Sequence, residues 1–297
     1  MAIGARRVVF ADPGGSPASR GANMAIAVVA NAFAALAGTL LGHSLAASTL
    51  GMFVLGWVAG VARTHSEAAG RLGTSPAILF ALAQILPGDL STALLRALAV
   101  GVGGLVALAC VLARFPKGWL RLAVRRLSTA VHLLGRAFGS SEVEVLFGLV
   151  LAFTVAACLW VVRALDLPRG SWVVVSVLVV LRPDHAVTQR RGLERVWGTL
   201  LGCLLAAALV SVVRSPWLAD GLIFLLLVGF FRLQAVAYGW SLAFFTPAVV
   251  LGISLLEPGN WHWAANRAVD VAAGSLVATG VAFLLRGSLR RRPTAVV

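Results

Sequence analysis

The chain has 297 residues, of which 60% are hydrophobic and only 12% are charged, and its mean hydropathy is +0.93. A soluble globular protein is about 45–50% apolar and about 25% charged. This composition therefore excludes a soluble enzyme, a disordered tail and a disulfide-stapled secreted domain. Because the apolar residues come in long continuous runs, the composition indicates a polytopic helical membrane protein.

The net charge is +14, with 25 Lys and Arg residues against 11 Asp and Glu residues. In a soluble domain such a charge would suggest nucleic-acid binding. Here the basic residues lie in short loops, and most of them fall on the side of the predicted membrane that carries the N-terminus. Because orientation follows this bias, we expect an inner-membrane protein with both termini in the cytoplasm and no nucleic-acid partner.

Ten apolar runs predict about ten transmembrane helices in an all-α fold. Strands are excluded because the runs are continuously apolar, and an open sheet in lipid would leave backbone groups unpaired. The predicted segments are 24–42, 44–62, 74–88, 91–112, 144–162, 170–182, 196–213, 217–231, 235–256 and 267–285.

The stretch 114–142 has apolar residues at helical spacing on one face and basic residues on the other. This pattern predicts a basic amphipathic linker helix at the inner leaflet, although a partner-binding helix would look the same. The linker separates a first block, 24–113, from a second block, 143–286. A cytoplasmic tail at 1–23 and a basic cytoplasmic tail at 287–297 complete the predicted organisation.

The two blocks repeat each other. The sequence Gly-Thr-Leu-Leu-Gly at 38–42 recurs at 198–202. Two prolines, an arginine and a glycine also recur with identical spacing, as Pro76, Pro87, Arg96 and Gly103 and then Pro247, Pro258, Arg267 and Gly274. The sequence therefore predicts two parallel repeats, with four helices in the first and six in the second.

The second block carries a further set of short motifs. Gly170-Ser171-Trp172 opens an apolar run that ends at Arg182-Pro183-Asp184, and a basic segment at 188–195 leads into Val196-Trp197-Gly198-Thr199-Leu200-Leu201-Gly202. Arg267-x-x-Asp270 follows, with Gly274. In these residues the block resembles the fusaric acid resistance-like (FUSC) integral membrane family, which includes the aromatic acid exporters and is akin to the plant aluminium-activated malate transporters.

The resemblance implies a membrane permease that exports organic or aromatic acid anions. A passive anion channel is the second hypothesis, as the plant relatives suggest. A non-transporting scaffold or a truncated permease remnant is the third, and the missing helix pair of the first block favours it. No catalytic constellation and no phosphate-binding loop stand out, so we expect no enzyme, no cofactor and a transporter driven by an ion gradient.

Three charged residues are the main candidates for the site. Arg195 and Arg267 would attract the substrate carboxylate, the alternative for Arg195 being a positive-inside anchor. Asp270 lies three residues after Arg267 on the same helix face. It is the candidate for proton coupling, the alternative being an ion pair at the outer interface.

Aromatic and hydroxyl side chains on short or proline-broken segments are candidates for contacting an aromatic acid; packing or interfacial roles are the simpler interpretation of each one. They are Trp172, Ser176, Tyr238, Trp240, Ser241, Thr246 and Ser254. Small residues that let helices approach closely form a packing motif, namely Gly38, Gly42, Gly103, Gly198, Thr199, Gly202 and Gly274.

The remaining candidates for chemistry are isolated. The three cysteines lie singly inside apolar runs and the five histidines are scattered, so neither gives a metal-binding spacing. The expected partners are the lipid bilayer and a small organic anion. A homo-oligomer is compatible with the four-helix first block, whose surface would normally be covered.

Overall fold

A computed structural model describes residues 17–112, 142–167, 170–213, 215–234, 236–254 and 262–286. These residues form ten α-helices and no strands. The helices are α1 (Pro17–Leu41), α2 (Leu45–His65), α3 (Glu67–Ala83), α4 (Leu90–Leu112), α5 (Glu142–Ala164), α6 (Ser171–Val180), α7 (His185–Val212), α8 (Pro216–Leu233), α9 (Tyr238–Ser254) and α10 (His262–Leu284).

Each helix overlaps one predicted segment. Seven of them, α1, α2, α4, α5, α7, α8 and α10, are long and apolar enough to cross a membrane. The shorter apolar helix α6 has 10 residues and is about 15 Å long, half the thickness of a bilayer core of about 30 Å. The prediction of an all-helical multi-pass protein is confirmed, and the number of crossings stays a prediction. The linker 114–142, except for its last residue, and the tail 287–297 lie outside the described residues.

Polar side chains set the starts of several helices. Ser44 and Ser66 accept hydrogen bonds from the first turns of α2 and α3, and Asp184 accepts from the amides of Ala186 and Val187 at the start of α7. Such caps satisfy N–H groups that have no partner inside the helix. The Asp184 cap starts α7 well before position 196, where the sequence placed the beginning of that segment.

Two of the helices contain an internal proline. Pro76 lies within α3 and Pro247 within α9. The sequence placed the start of the third segment at position 74, whereas the Ser66 cap starts the helix at Glu67. Proline removes one backbone hydrogen bond from a helix, and in both helices it lies in a stretch of buried residues, where packing against neighbouring helices stabilises the broken turn.

The chain divides into two compact units, 1–179 and 180–297. In the first unit, α1 packs against α3 and α4, and α2 packs against α3 and α5. In the second unit, α7 packs against α9 and α10, and α8 packs against α9. The pairs formed among α1, α2, α3 and α4 are therefore matched by the pairs formed among α7, α8, α9 and α10.

Two arginines join α5 and α6 to the other helices of the first unit. Arg163, in the last turn of α5, donates to Ser48 Oγ at 2.7 Å and to the Gly42 carbonyl oxygen at 2.6 Å. Arg63 of α2 donates to the Leu178 carbonyl oxygen of α6. The sequence repeat assigns α5 and α6 to the second block, whereas most of their residues lie in the first compact unit.

The two Gly-Thr-Leu-Leu-Gly motifs pack in different registers. A methyl group added at Gly38 would lie 2.6 Å from the Phe80 carbonyl oxygen, whereas one added at Gly198 would collide with the Gly239 carbonyl oxygen. The matching prolines are 171 residues apart (247 − 76), so the repeat pairs Gly239 with position 68 and not with Phe80. The pairing of helices agrees with a duplication. The position of the third helix of each repeat (α3 and α9) along the first helix (α1 and α7) does not, because it differs between the two repeats.

Candidate functional site

Arg195 lies deep inside the second unit. Because α7 begins at His185, Arg195 is about three turns from the helix start, and only 5% of it is exposed. Arg195 therefore does not lie at the N-terminus of α7. An arginine at the centre of a membrane helix costs about 2.5–3.5 kcal/mol on insertion scales, which marks this side chain as one with a specific role.

Tyr238 links two arginines of α7. Its phenolic oxygen accepts a hydrogen bond from Arg195 Nη1 at 3.0 Å, and the guanidinium carbon of Arg191 lies 5.5 Å from the centre of its ring. Tyr238 is the first residue of α9, so the helix N-terminus near Arg195 belongs to α9. The sequence analysis missed Arg191, although its spacing of one turn from Arg195 was a usable signal.

Arg267 of α10 is the second buried cation of the unit, with 4% of it exposed. Its guanidinium carbon lies 5.2 Å from the centre of the Phe245 ring on α9, a cation–π arrangement that the sequence did not reveal. It interacts electrostatically with four ionisable groups, Arg195, Cys203, Asp270 and Tyr238. Two helices, α7 and α10, thus bring two arginines and one carboxylate into one cluster, the arginine cluster of Arg195, Arg267 and Asp270.

Three side-chain oxygens of α9 and α10 are buried without a hydrogen-bond partner among the described residues. They are Asp270 Oδ2, Thr246 Oγ1 and Ser275 Oγ, and Thr246 is 0% exposed. A buried polar group without a partner costs about 1–3 kcal/mol. These atoms are therefore candidates for hydrogen bonds to a bound molecule.

Glycines of α7 allow α9 to approach the cluster. A methyl group at Gly202 would lie 2.7 Å from Thr246 Cβ, and one at Gly198 would collide with Gly239. Thr199 is buried between these two glycines. The packing motif predicted from sequence thus lies at helix contacts in this unit, where it places Tyr238 beside Arg195. The other predicted packing glycines, Gly38, Gly42, Gly103 and Gly274, are buried as well.

Two of the predicted binding residues belong to the first unit. Trp172 and Ser176 lie on α6, where Ser176 Oγ donates to the Trp172 carbonyl oxygen at 2.8 Å. Two further hydroxyls bond within α9, since Ser241 donates to the Tyr238 carbonyl oxygen and Ser254 donates to that of Leu251. Trp240 of α9 packs edge-on against Trp197 of α7. These contacts agree with the packing interpretation of the hydroxyls and of Trp240.

The first unit differs from the second at the matching sequence positions. Ala35, which is buried, stands at the position of Arg195. Arg96 matches Arg267, and it donates to Thr39 Oγ1 at 3.4 Å and to the Leu86 carbonyl oxygen. In the part of the chain that the structure describes, three or more His, Cys, Asp or Glu residues nowhere come together to hold a metal ion.

The part of the chain that contains the buried cluster is similar to a known family. Residues 155–281 match the family model described as fusaric acid resistance protein-like. This segment is fusaric acid resistance-like. The family resemblance predicted from sequence is confirmed there, and the matched segment contains α7, α8, α9 and the arginine cluster.

Several curated proteins are similar to this chain over part of their own length. The inner membrane protein YccS of Escherichia coli is 29% identical over 162 residues, which are 54% of this chain and 20% of that protein. The uncharacterized protein slr1298 of Synechocystis is 29% identical over 121 residues, 40% of this chain and 16% of that protein. An uncharacterized protein, ORF2, of Neisseria gonorrhoeae is 27% identical over 131 residues, 43% and 31% of the two chains.

The matches therefore span less than a third of the length of these relatives. No solved structure matches the chain.

Proposed function

We propose that the protein is a multi-pass permease of the inner membrane, with both termini in the cytoplasm, and that its second unit binds a small organic anion. The fusaric acid resistance-like segment and the inner-membrane relative support this proposal. The exported anion would be an organic or aromatic acid, and an ion gradient would drive its movement.

The observation that carries the proposal is the burial of Arg195 and Arg267 within electrostatic range of each other. Two like charges in an apolar environment repel, and each has lost the hydration that stabilises it in water. Asp270 attracts one of the two, Arg267. An organic anion bound beside both guanidinium groups would reduce the repulsion between them.

The pairing of helices, though not the axial position of the third helix, supports an evolutionary duplication. The pairs made by α1, α2, α3 and α4 match those made by α7, α8, α9 and α10, as a parallel repeat requires. The second unit would be the binding unit, because Ala35 replaces the first arginine of the cluster in the other repeat and Ala99 replaces its carboxylate.

The test is uptake of radiolabelled benzoate into proteoliposomes that contain the purified full chain. Arg195→Ala and Arg267→Ala should each reduce uptake at least about tenfold, because each removes a charge-assisted contact worth about 1.5–3 kcal/mol. Arg96→Ala is the matched control, since it removes the arginine at the corresponding position of the first unit. Equal uptake by wild type and both cluster variants would contradict the proposed site.

Electrophysiology distinguishes the permease from a channel. Planar bilayers containing the protein should show no ohmic benzoate current, because a coupled permease moves its substrate through a conformational cycle. An ohmic anion current that does not depend on protons would establish the channel instead.

A further inference from the structure

Asp270 and Arg267 are close partners on α10. Three residues separate them, which places them on one face of the helix, and their charges attract each other. Asp270 is half-buried, and its Oδ2 atom is buried without a hydrogen-bond partner in the described residues. The carboxylate therefore lies at the cluster with one oxygen available to accept a proton or a hydrogen bond.

The charged and titratable groups around this pair come from two other helices. Arg195 and Cys203 lie on α7 and Tyr238 lies on α9, and all three interact electrostatically with Arg267. In the described part of the chain, Asp270 is the carboxylate among the ionisable groups that interact electrostatically with Arg267. An organic anion at the arginine cluster would thus share its cations with Asp270.

Two anions that share the same cations repel each other. Protonation of Asp270 removes its negative charge and with it the repulsion between the two anions, so it strengthens binding of an anion. Coupling between two binding events is reciprocal, and an anion at the cluster must therefore raise the affinity of Asp270 for a proton to the same extent.

We propose that the second unit binds an organic anion and a proton together, with Asp270 as the proton acceptor. This inference rests on the proposed function and adds that binding of the anion and binding of the proton strengthen each other. The anion and the proton would cross in the same direction, as the equivalent of a neutral acid, so the gradient that drives export would be that of an ion other than the proton. An exchanger that carries an anion one way and a proton the other requires the opposite, namely binding events that exclude each other.

The test measures binding of benzenesulfonate, an aromatic anion whose own charge does not change with pH, to the full chain in nanodiscs. Calorimetry at a series of pH values should show affinity that rises as the pH falls, by up to about tenfold per pH unit for one coupled proton. Titrations in two buffers of different ionisation enthalpy should show proton uptake on binding. Proton release, or affinity that rises with pH, would overturn the inference.

Variants of Asp270 identify the group that takes the proton. Asp270→Asn should bind with the affinity that wild type reaches at low pH and should show no dependence on pH, whereas Asp270→Glu should keep the dependence. Asp220→Asn is the control, because Asp220 is an exposed carboxylate on α8 of the same unit. Should Asp270→Asn fail to fold, the count of protons taken up by wild type still decides the sign.

The two proposals fail in different ways. Benzenesulfonate binding that Arg267→Ala leaves intact, or that wild type lacks at every pH, would contradict the proposed anion site itself. Binding that requires Arg267 but takes up no proton at any pH would contradict co-binding alone.

Discussion

The phenolic oxygen of Tyr238 accepts a hydrogen bond from Arg195 Nη1 at 3.0 Å, which joins the first residue of α9 to the middle of α7. The same ring lies under the guanidinium of Arg191. One side chain therefore holds two cations of α7 in place. In the sequence, Tyr238 was a candidate for contact with substrate, and its geometry makes it a positioning residue for Arg195.

Tyr238→Phe separates the two contacts. The phenyl ring remains under Arg191, but the oxygen that accepts from Arg195 is lost. Since a hydrogen bond to a charged group contributes about 1.5–3 kcal/mol, the KM for benzoate uptake should rise about tenfold with kcat little changed. Tyr238→Leu removes the ring as well and should raise the KM further. Equal KM values for wild type and Tyr238→Phe would show that the bond does not position Arg195 for binding.

Cys203 provides a native reporter of the charge at the cluster. Its Sγ lies 3.1 Å from the Ala264 carbonyl oxygen, and it interacts electrostatically with Arg267. In a background in which Cys110 and Cys158 are replaced by serine, an anionic methanethiosulfonate should label Cys203 several-fold faster than a cationic one of similar size, because the cluster attracts anions. Benzoate should slow the labelling. Faster labelling by the cationic reagent would contradict a positively charged cluster.

Gly202→Ala tests the contact between α7 and α9. The added methyl group would lie 2.7 Å from Thr246 Cβ, so the helices must separate, and overpacking of this kind costs about 1–3 kcal/mol. The melting temperature in detergent should fall. Gly280→Ala on α10 is the matched control, because no atom lies within 4 Å of its new methyl group, and its melting temperature should not fall. Equal behaviour of the two variants would rule out a close contact at Gly202.

Arg163→Ala should weaken the attachment of α5 in the first unit. It removes two hydrogen bonds, to Ser48 Oγ and to the Gly42 carbonyl oxygen, for a loss of about 1–3 kcal/mol in the free energy of unfolding. Arg71→Ala removes an exposed ion pair with Glu67, worth about 0.3–0.5 kcal/mol. Denaturation of both variants in detergent should rank Arg163→Ala as clearly less stable. The reverse ranking would count against the Arg163 contacts.

Asp89 should make the stability of α4 sensitive to acid. Hydrogen bonds from Thr92 and from Ser91 lower the pKa of Asp89 from 3.8 to about 2. The folded state therefore favours the carboxylate, and this stabilisation is fully present above pH 3.8 and is lost as the pH falls through about 2. The melting temperature of wild type should drop more over this range than that of Asp89→Asn, which keeps a capping oxygen but does not titrate. Parallel curves would contradict the role of the carboxylate.

Continuous apolar runs were sufficient to find every described helix, because helices in a lipid environment are rich in apolar residues along their whole length. It was less reliable at the ends. The start of α7 depends on the cap at Asp184 and the start of α3 on the cap at Ser66, and each cap is a single polar side chain outside the apolar run.

The candidate site was predictable in its charges and unpredictable in its contacts. Buried arginines within apolar runs are expensive in a membrane, so Arg195 and Arg267 stood out from the sequence. Nothing in the spacing could place Phe245 under Arg267 or Tyr238 beside Arg195, since those contacts join helices that are far apart along the chain. Trp172 and Ser176 looked equally suitable by composition and lie in the other unit.

The sequence by itself determined that the chain is an all-helical membrane protein and which helices it has. The length, hydropathy and charge of each segment are local properties, and they decide whether that segment is stable in lipid. It also determined the family resemblance of the second block. The tertiary structure alone decided that α5 and most of α6 pack with the first four helices and that Arg195 of α7 comes within electrostatic range of Arg267 on α10. Those outcomes depend on how helix surfaces fit together, and close packing is a property of pairs of helices that no single segment encodes.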